Sequence, residues 1–298
     1  MLSRSAEDWR ARGRVIDVGG RGVFTISAGD GGVPMLLLHG FPSSSYDFHR
    51  CWDAWAARRR VVALDFVGFG FSAKPADFSY SLHEQADAVE VVAARLGITR
   101  AHVVAHDMGT SVATELCARH ARKLCGFDFA SLTLMNGSVH IEHSRLTPSQ
   151  KLLRLPALGP LFARLARGWT FRAQLRRILG RPDALSAEEL EDMWQLIREG
   201  GGHLRLPQTI GYVAERWRFH RRWIGALEVF DRPALVLWGA RDPVAVLHIA
   251  ELVARETPGA RLVTLDDLGH YPMLEDPARV THELDQFLAT VDAAQKSR

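Results

Sequence analysis

The most reactive feature of this chain is a carboxylate set where an apolar strand meets a helix. The run Val103-Val104-Ala105-His106-Asp107-Met108-Gly109-Thr110-Ser111-Val112 carries β-branched residues into a sharp turn and then directly into helical pattern. In strand–turn–helix elbows of the G-x-S-x-G kind, small residues flank a strained nucleophile. Here the elbow reads Ala105-His106-Asp107-Met108-Gly109, with aspartate where serine would stand. At the head of a helix, partial positive charge and free N–H groups keep such a carboxylate ionised. It can attack carbon at neutral pH without a base to deprotonate it. The competing explanation is that Asp107 only caps the helix, a common task for Asp at that position.

A nucleophilic carboxylate makes an ester, and turnover requires that ester to be hydrolysed. That takes a base to activate water and a second carboxylate to orient and stabilise the base. Both occur in the chain order nucleophile, acid, histidine. The apolar run Ala234–Trp238 ends in Gly239-Ala240-Arg241-Asp242-Pro243, and Arg261–Leu265 ends in Asp266-Asp267-Leu268-Gly269-His270. Asp242 is the expected acid and His270 the expected base. Asp266 and Asp267 are rivals, but they lie too near His270 in sequence to back its ring. The run Pro34–Leu38 leads into His39-Gly40-Phe41-Pro42, where glycine allows close backbone approach. Pro42 has no N–H, so the amides of Phe41 and Met108 are the expected oxyanion donors.

These loops need a scaffold that brings strand ends together. Strand patterns fall at Arg14–Val18, Gly22–Ser27, Pro34–Leu38, Arg60–Asp65, Ala101–Ala105, Ser131–Met135, Ala234–Trp238 and Arg261–Leu265. The first two read as an antiparallel hairpin across Gly19-Gly20-Arg21-Gly22. Helical patterns near Tyr46–Ala57, Leu82–Leu96, Thr110–Arg119, Val244–Arg255 and Pro277–Ala293 join the later ones. The alternation predicts an α/β fold, an eight-stranded and mostly parallel sheet covered by helices. From 137 to 228 there is helical pattern only, broken by Pro156, Pro160, Pro182 and Pro207. This stretch has 15 Arg and Lys against 9 Asp and Glu, and four of the eight tryptophans. It reads as a helical lid (137–228) inserted into a core domain made of 1–136 and 229–298, over the sheet edge where ligands of open α/β folds bind.

The 298 residues carry a net charge of +3, too little to argue for a nucleic-acid partner. Cys51, Cys117 and Cys125 form no C-x-x-C pair, so neither a disulfide framework nor a zinc site is expected. Neither a signal peptide nor an apolar run of about 18 residues is seen, which points to a cytoplasmic protein. No cofactor and no metal are expected, and the oligomeric state is left open.

With these motifs assembled, the chain resembles the epoxide hydrolase and haloalkane dehalogenase branch of the α/β-hydrolase superfamily over nearly its whole length. The resemblance rests on His39–Pro42, the Asp65–Ser72 turn, the His106-Asp107-Met108-Gly109 elbow, Gly239–Pro243 and Gly269-His270. Aspartate in the elbow selects this branch. HGFPSSSYDF, ALDFVGFGFSAKP, RRWIGAL and LGHYPMLEDP look like the mesoderm-specific transcript group. The resemblance implies a cofactor-independent hydrolase acting through an ester on Asp107, with a small hydrophobic substrate and water as its partners.

Related epoxide hydrolases protonate the leaving oxygen with two lid tyrosines. Related dehalogenases hold halide with a tryptophan after the nucleophile and an asparagine in the HGxP loop or a lid tryptophan. Here position 108 is Met, position 41 is Phe, and the 137–228 stretch has one tyrosine, Tyr212, with Trp223 where the second would stand. Tyr212, Trp223 and His106 are therefore the expected substrate and leaving-group residues, with His203 and His220 as possible helpers. Epoxide hydrolysis is favoured over dehalogenation, and a non-catalytic protein binding an apolar ligand is the alternative from another class. Arg172, Arg176, Arg177, Arg216, Arg218, Arg221 and Arg222 read as one basic lid face, ordinarily a solvated surface and alternatively a contact for anionic membrane.

Overall fold

The computed structural model describes residues 2–296. The first strands, β1 (Gly13–Val18) and β2 (Arg21–Ala28), form the expected antiparallel hairpin, preceded by a helix the sequence pattern did not announce, α1 (Arg4–Arg12). Next come β3 (Met35–Leu38), α2 (His49–Ala56), β4 (Val61–Leu64), α3 (Leu82–Arg95), β5 (Arg100–His106), α4 (Met108–His120) and β6 (Asp128–Met135). The chain then runs through α5 (Pro148–Leu153), α6 (Leu158–Leu165), α7 (Gly168–Ile178), α8 (Ala187–Arg198), α9 (Leu206–Thr209) and α10 (Tyr212–Glu228), without a strand. It closes with β7 (Ala234–Gly239), α11 (Leu247–Glu256), β8 (Arg261–Leu265), α12 (Pro272–Glu275) and α13 (Pro277–Lys296).

The eight strands make one sheet in the order β1-β2-β4-β3-β5-β6-β7-β8. Pairing is antiparallel from β1 to β2 and β2 to β4, and parallel at every other step. Strands β3 and β4 are apolar throughout because helices cover both faces of the sheet. In β3 and β5 the side chains still alternate: Leu36, Leu38, Val103 and Ala105 enter one buried cluster, while Met35, Leu37 and Val104 enter the other.

This topology positions the chemistry. From β3 the chain crosses to β4 on one side, then returns to β5 on the other, leaving a crevice beyond the carboxyl ends of β3 and β5. The loops after β3, β5, β7 and β8 deliver Phe41, Asp107, Asp242 and His270 to that edge. Helix α10 is pinned to the body. Glu215 accepts the Leu82 amide (2.7 Å), and Arg222 donates twice to the buried Glu115 of α4 (2.7 and 2.9 Å).

Candidate active site

Asp107 stands between β5 and α4 with φ 46° and ψ −110°, a conformation L-residues rarely adopt. Such strain costs of the order of 1–3 kcal/mol and persists only where the surroundings enforce it. Two glycines make the enforcement possible. A Cβ on Gly109 would lie 2.4 Å from the Leu38 carbonyl, and one on Gly40 would lie 2.7 Å from the Asp107 Cβ. The capping explanation fails on geometry, because the Asp107 side chain makes no capping bond to α4. Its Oδ1 instead accepts the Phe41 amide at 2.8 Å, from a loop 66 residues earlier. Met108 opens α4, so its N–H is one of the first-turn amides that no helical carbonyl can use.

His270 Nε2 lies 3.8 Å from Asp107 Oδ2, an ion-pair distance too long for a hydrogen bond. His270 Nδ1 meets Asp242 Oδ2 at 2.6 Å. Asp242 is itself fixed: Oδ1 accepts the amides of Val244 (2.7 Å) and Ala245 (3.1 Å), and Oδ2 accepts the Asn136 side-chain amide (2.9 Å). The rival carboxylates are elsewhere, Asp267 pairing with Arg181 and Arg279 and Asp266 being exposed.

Burial opposes ionisation of Asp107, but the charge of Arg216, then His270, then the Phe41 amide outweigh it and hold the carboxyl below its usual range. Burial likewise lowers the His270 imidazole, and the anions of Asp242 and Asp107 more than offset it, raising its pKa to about 9. The resting site is thus an ionised Asp107 facing a protonated His270. The two oxygens of Asp107 differ: Oδ1 is held by an amide, while Oδ2 accepts no hydrogen bond among the described residues. Oδ2 is the edge left free of any hydrogen bond.

His106 is not a substrate contact. Its Nε2–H donates to the His270 carbonyl at 2.7 Å, and burial followed by the His270 charge pulls its pKa down to about 3. It is a neutral strut beneath His270. His39 plays a similar part in its own loop, with Nδ1 on the Gly40 carbonyl (2.7 Å) and Nε2 accepting from Phe66 (3.0 Å).

Tyr212 and Trp223, expected together, are separated by function. The Tyr212 ring packs 5.3 Å from that of Phe41, and its hydroxyl accepts from Gln150 Nε2 (3.2 Å). Burial and the nearby Asp107 charge raise the phenol, so it keeps its proton. The expectation for Trp223 is corrected: its single N–H donates to Glu115 at 3.0 Å, on the flank of α4, and is spent there. His203 and His220 do not line the cavity described below, and His220 is bonded to the Trp217 carbonyl (2.9 Å).

Four residues were not assigned from sequence. Arg216, expected on the basic lid face, is buried. It donates from Nε to Ser111 Oγ (2.8 Å) and from Nη2 to the Asp107 carbonyl (2.9 Å), with its guanidinium 4.6 Å over the Tyr212 ring. The basic face is therefore not one surface, since Arg216 and Arg222 both point into the body. Asn136 braces Asp242. Glu275 gathers the amides of Gly180 (2.8 Å), Arg181 (2.9 Å), Gly269 (3.0 Å) and Tyr271 (3.2 Å), joining the histidine loop to the end of α7. The His270 amide adds a bond to the Ile178 carbonyl (2.9 Å). Tyr271 is the fourth: buried, it stacks edge-on to His270 with centroids 5.1 Å apart.

A cavity of about 110 Å³ opens between this edge and the helices of 137–228. Phe41, His270 and Tyr271 form its floor, and Leu153, Phe162, Phe171 and Trp194 form apolar walls. Asp107 lies directly behind Phe41 and His270, 2% exposed. The Met108 side chain is buried in the hydrophobic core and is not among the residues that line this cavity. Among the described residues no helix is long and apolar enough to cross a membrane.

A family description, the alpha/beta hydrolase fold, matches residues 33–277. "Putative hydrolase LipZ" of Mycobacterium tuberculosis is 42% identical over 284 residues, covering 93% of this chain and 96% of the relative. The human "Mesoderm-specific transcript homolog protein" is 38% identical, covering 93% and 85%. The solved epoxide hydrolase CorEH superposes with a TM-score of 0.78 at 19% identity, covering 94% and 99%, which shows the shared fold alone. With the family's residues matched from β3 to the end of α12 and the strand order observed, the chain belongs to the α/β-hydrolase fold family, as a hydrolase related to LipZ and the mesoderm-specific transcript proteins.

Proposed function

We propose that this hydrolase opens a hydrophobic epoxide through a covalent ester on Asp107, with 137–228 serving as the lid that shields the reaction from bulk water. The observation that carries the reading is the asymmetric Asp107 carboxylate: Oδ1 on the Phe41 amide, Oδ2 unbonded and facing the cavity-lining His270. Oδ2 attacks an epoxide carbon, the C–O bond breaks, and the departing oxygen takes the Tyr212 proton. The product is a hydroxyalkyl ester.

Esterification removes the negative charge of Asp107, one of the anions that hold the His270 proton. His270 then passes its proton to the Tyr212 phenolate and becomes the base the second step needs. It deprotonates water, which adds to the ester carbon. The negative charge that develops on Oδ1 is met by the Phe41 and Met108 amides. Collapse passes the remaining proton of the added hydroxyl to the departing oxygen, releases the diol and leaves one solvent oxygen in the Asp107 carboxylate, with His270 again protonated as in the resting site. Asp242, braced by Asn136, keeps the imidazole in the required tautomer throughout.

The choice of leaving group rests on the aromatic residues. Tyr212 retains a proton beside Phe41, and Tyr271 offers a second phenol in the cavity wall. Trp223, expected among the leaving-group residues, gives its N–H to Glu115. The test is a turnover panel of aryl and alkyl epoxides beside matched bromoalkanes. Diol release without bromide is expected; bromide release faster than diol release overturns the leaving-group assignment.

A further inference from the structure

We infer that the outer face of the lid segment 147–178 docks onto the surface of an anionic lipid bilayer. Ordinary surface helices bury their large apolar residues and expose small or polar ones. Helix α6 does the reverse. Gly159 and Ala163 face the protein, so closely that a Cβ on Gly159 would meet the Leu153 carbonyl at 2.3 Å. Leu158, Leu161 and Leu165, at positions i, i+3 and i+7 of one stripe, are 49%, 54% and 59% exposed. Leu155 before the helix and Trp169 after it extend the patch, at 45% and 66%. These five are half of the ten large apolar side chains exposed among the described residues, gathered within fifteen positions. A contiguous apolar patch of this kind marks an interaction surface.

Charge selects the partner. Residues 143–182 contain nine Arg and Lys and no Asp or Glu, while the whole chain is only +3, so the remainder carries −6. Only Arg172, on Glu191, and Arg181, on Asp267 and Asp276, form ion pairs among the described residues. Lys151, Arg154, Arg164 and Arg167 flank the leucine stripe, exposed and unpaired. Apolar side chains ringed by free cations fit a bilayer whose headgroups are negative and whose interior accepts leucine and tryptophan. A second copy of this chain is a poor occupant, because it would press the same unpaired cations against each other.

The same segment also faces inward: Leu153, Phe162 and Phe171 line the cavity. Docking would therefore set the apolar wall of the site beside the acyl region, so the bilayer is also the source from which an apolar substrate enters.

The test is co-sedimentation with vesicles of equimolar phosphatidylcholine and phosphatidylglycerol, beside vesicles of phosphatidylcholine alone. It reads binding and needs no activity. The variants are Leu161→Glu/Leu165→Glu and Arg164→Glu/Arg167→Glu, none of which touches the cavity, with thermal melting as the fold control. The protein is expected to sediment with the anionic vesicles only, and added salt to weaken binding. Each double variant should lower partitioning roughly tenfold or more at unchanged melting temperature. Absence of sedimentation with anionic vesicles, or full retention by both variants, overturns the inference. So does a wild-type dimer in analytical ultracentrifugation that Leu161→Glu/Leu165→Glu converts to monomer.

Discussion

Arg216 is 109 residues from Asp107 yet holds its backbone, which makes Arg216→Met the most informative perturbation. Methionine keeps an unbranched apolar side chain of similar reach and deletes the charged guanidinium that lies over the Tyr212 ring. Two charge-assisted bonds are lost, to Ser111 Oγ and to the Asp107 carbonyl. Each is worth about 1.5–3 kcal/mol, and the abandoned oxygens stay buried. A loss of roughly 3 kcal/mol of stability is therefore expected in chemical denaturation. The kinetic effect has a definite sign. Arg216 is the largest influence keeping the Asp107 carboxyl low against its burial, so its removal raises that pKa. Attack requires the ionised form, so the acid limb of the single-turnover alkylation rate moves to higher pH, while the rate above the limb changes little. Arg216→Lys separates the two effects: it keeps the charge and loses the fork, so stability falls while the limb stays near its wild-type position. An Arg216→Met protein that is folded, with an unmoved acid limb, would refute the claim that this cation keeps the nucleophile ionised.

Three further outcomes follow from the same geometry. His270 should titrate with a midpoint near 9 by NMR, and Asp107→Asn, which mimics the neutral ester, should lower that midpoint; no change would show that Asp107 does not hold the proton. Tyr212→Phe should slow ester formation from an epoxide by about 10²-fold or more while leaving ester hydrolysis intact, as read by stopped-flow single turnovers. Trp223→Phe should leave turnover unaltered and cost about 1 kcal/mol of stability through its lost bond to Glu115; a comparable fall in turnover would return Trp223 to the site.

The sheet and the three strand-end residues were legible in the sequence for a physical reason. Fully buried parallel strands such as Met35–Leu38 and Val61–Leu64 must be apolar throughout, and each reactive residue lies within a few positions of such a run. The elbow was legible because its strain demands small neighbours. What could not be read lay in contacts between distant segments. Arg216 sits among Arg218, Arg221 and Arg222, and nothing in that spacing tells which cation turns inward. Trp223 and Arg222 were drawn from the cavity by Glu115, a helix residue of α4 with no motif of its own. Asn136 follows the apolar run Ser131–Met135 with no motif to mark it, although its amide is what holds Asp242. Glu275 lies in the run Leu268–Pro277 but works by accepting four backbone amides, an arrangement that leaves no side-chain signature.

The central claim is that Asp107 becomes esterified. The most direct measurement is peptide mass mapping of His270→Gln after reaction with an aryl epoxide. Without the base, ester formation proceeds and hydrolysis stalls. The account predicts one added epoxide mass, located on the peptide that carries Asp107 and absent from His270→Gln/Asp107→Asn. Wild-type turnover with no adduct in the His270→Gln protein, or an adduct on any other peptide, would contradict it.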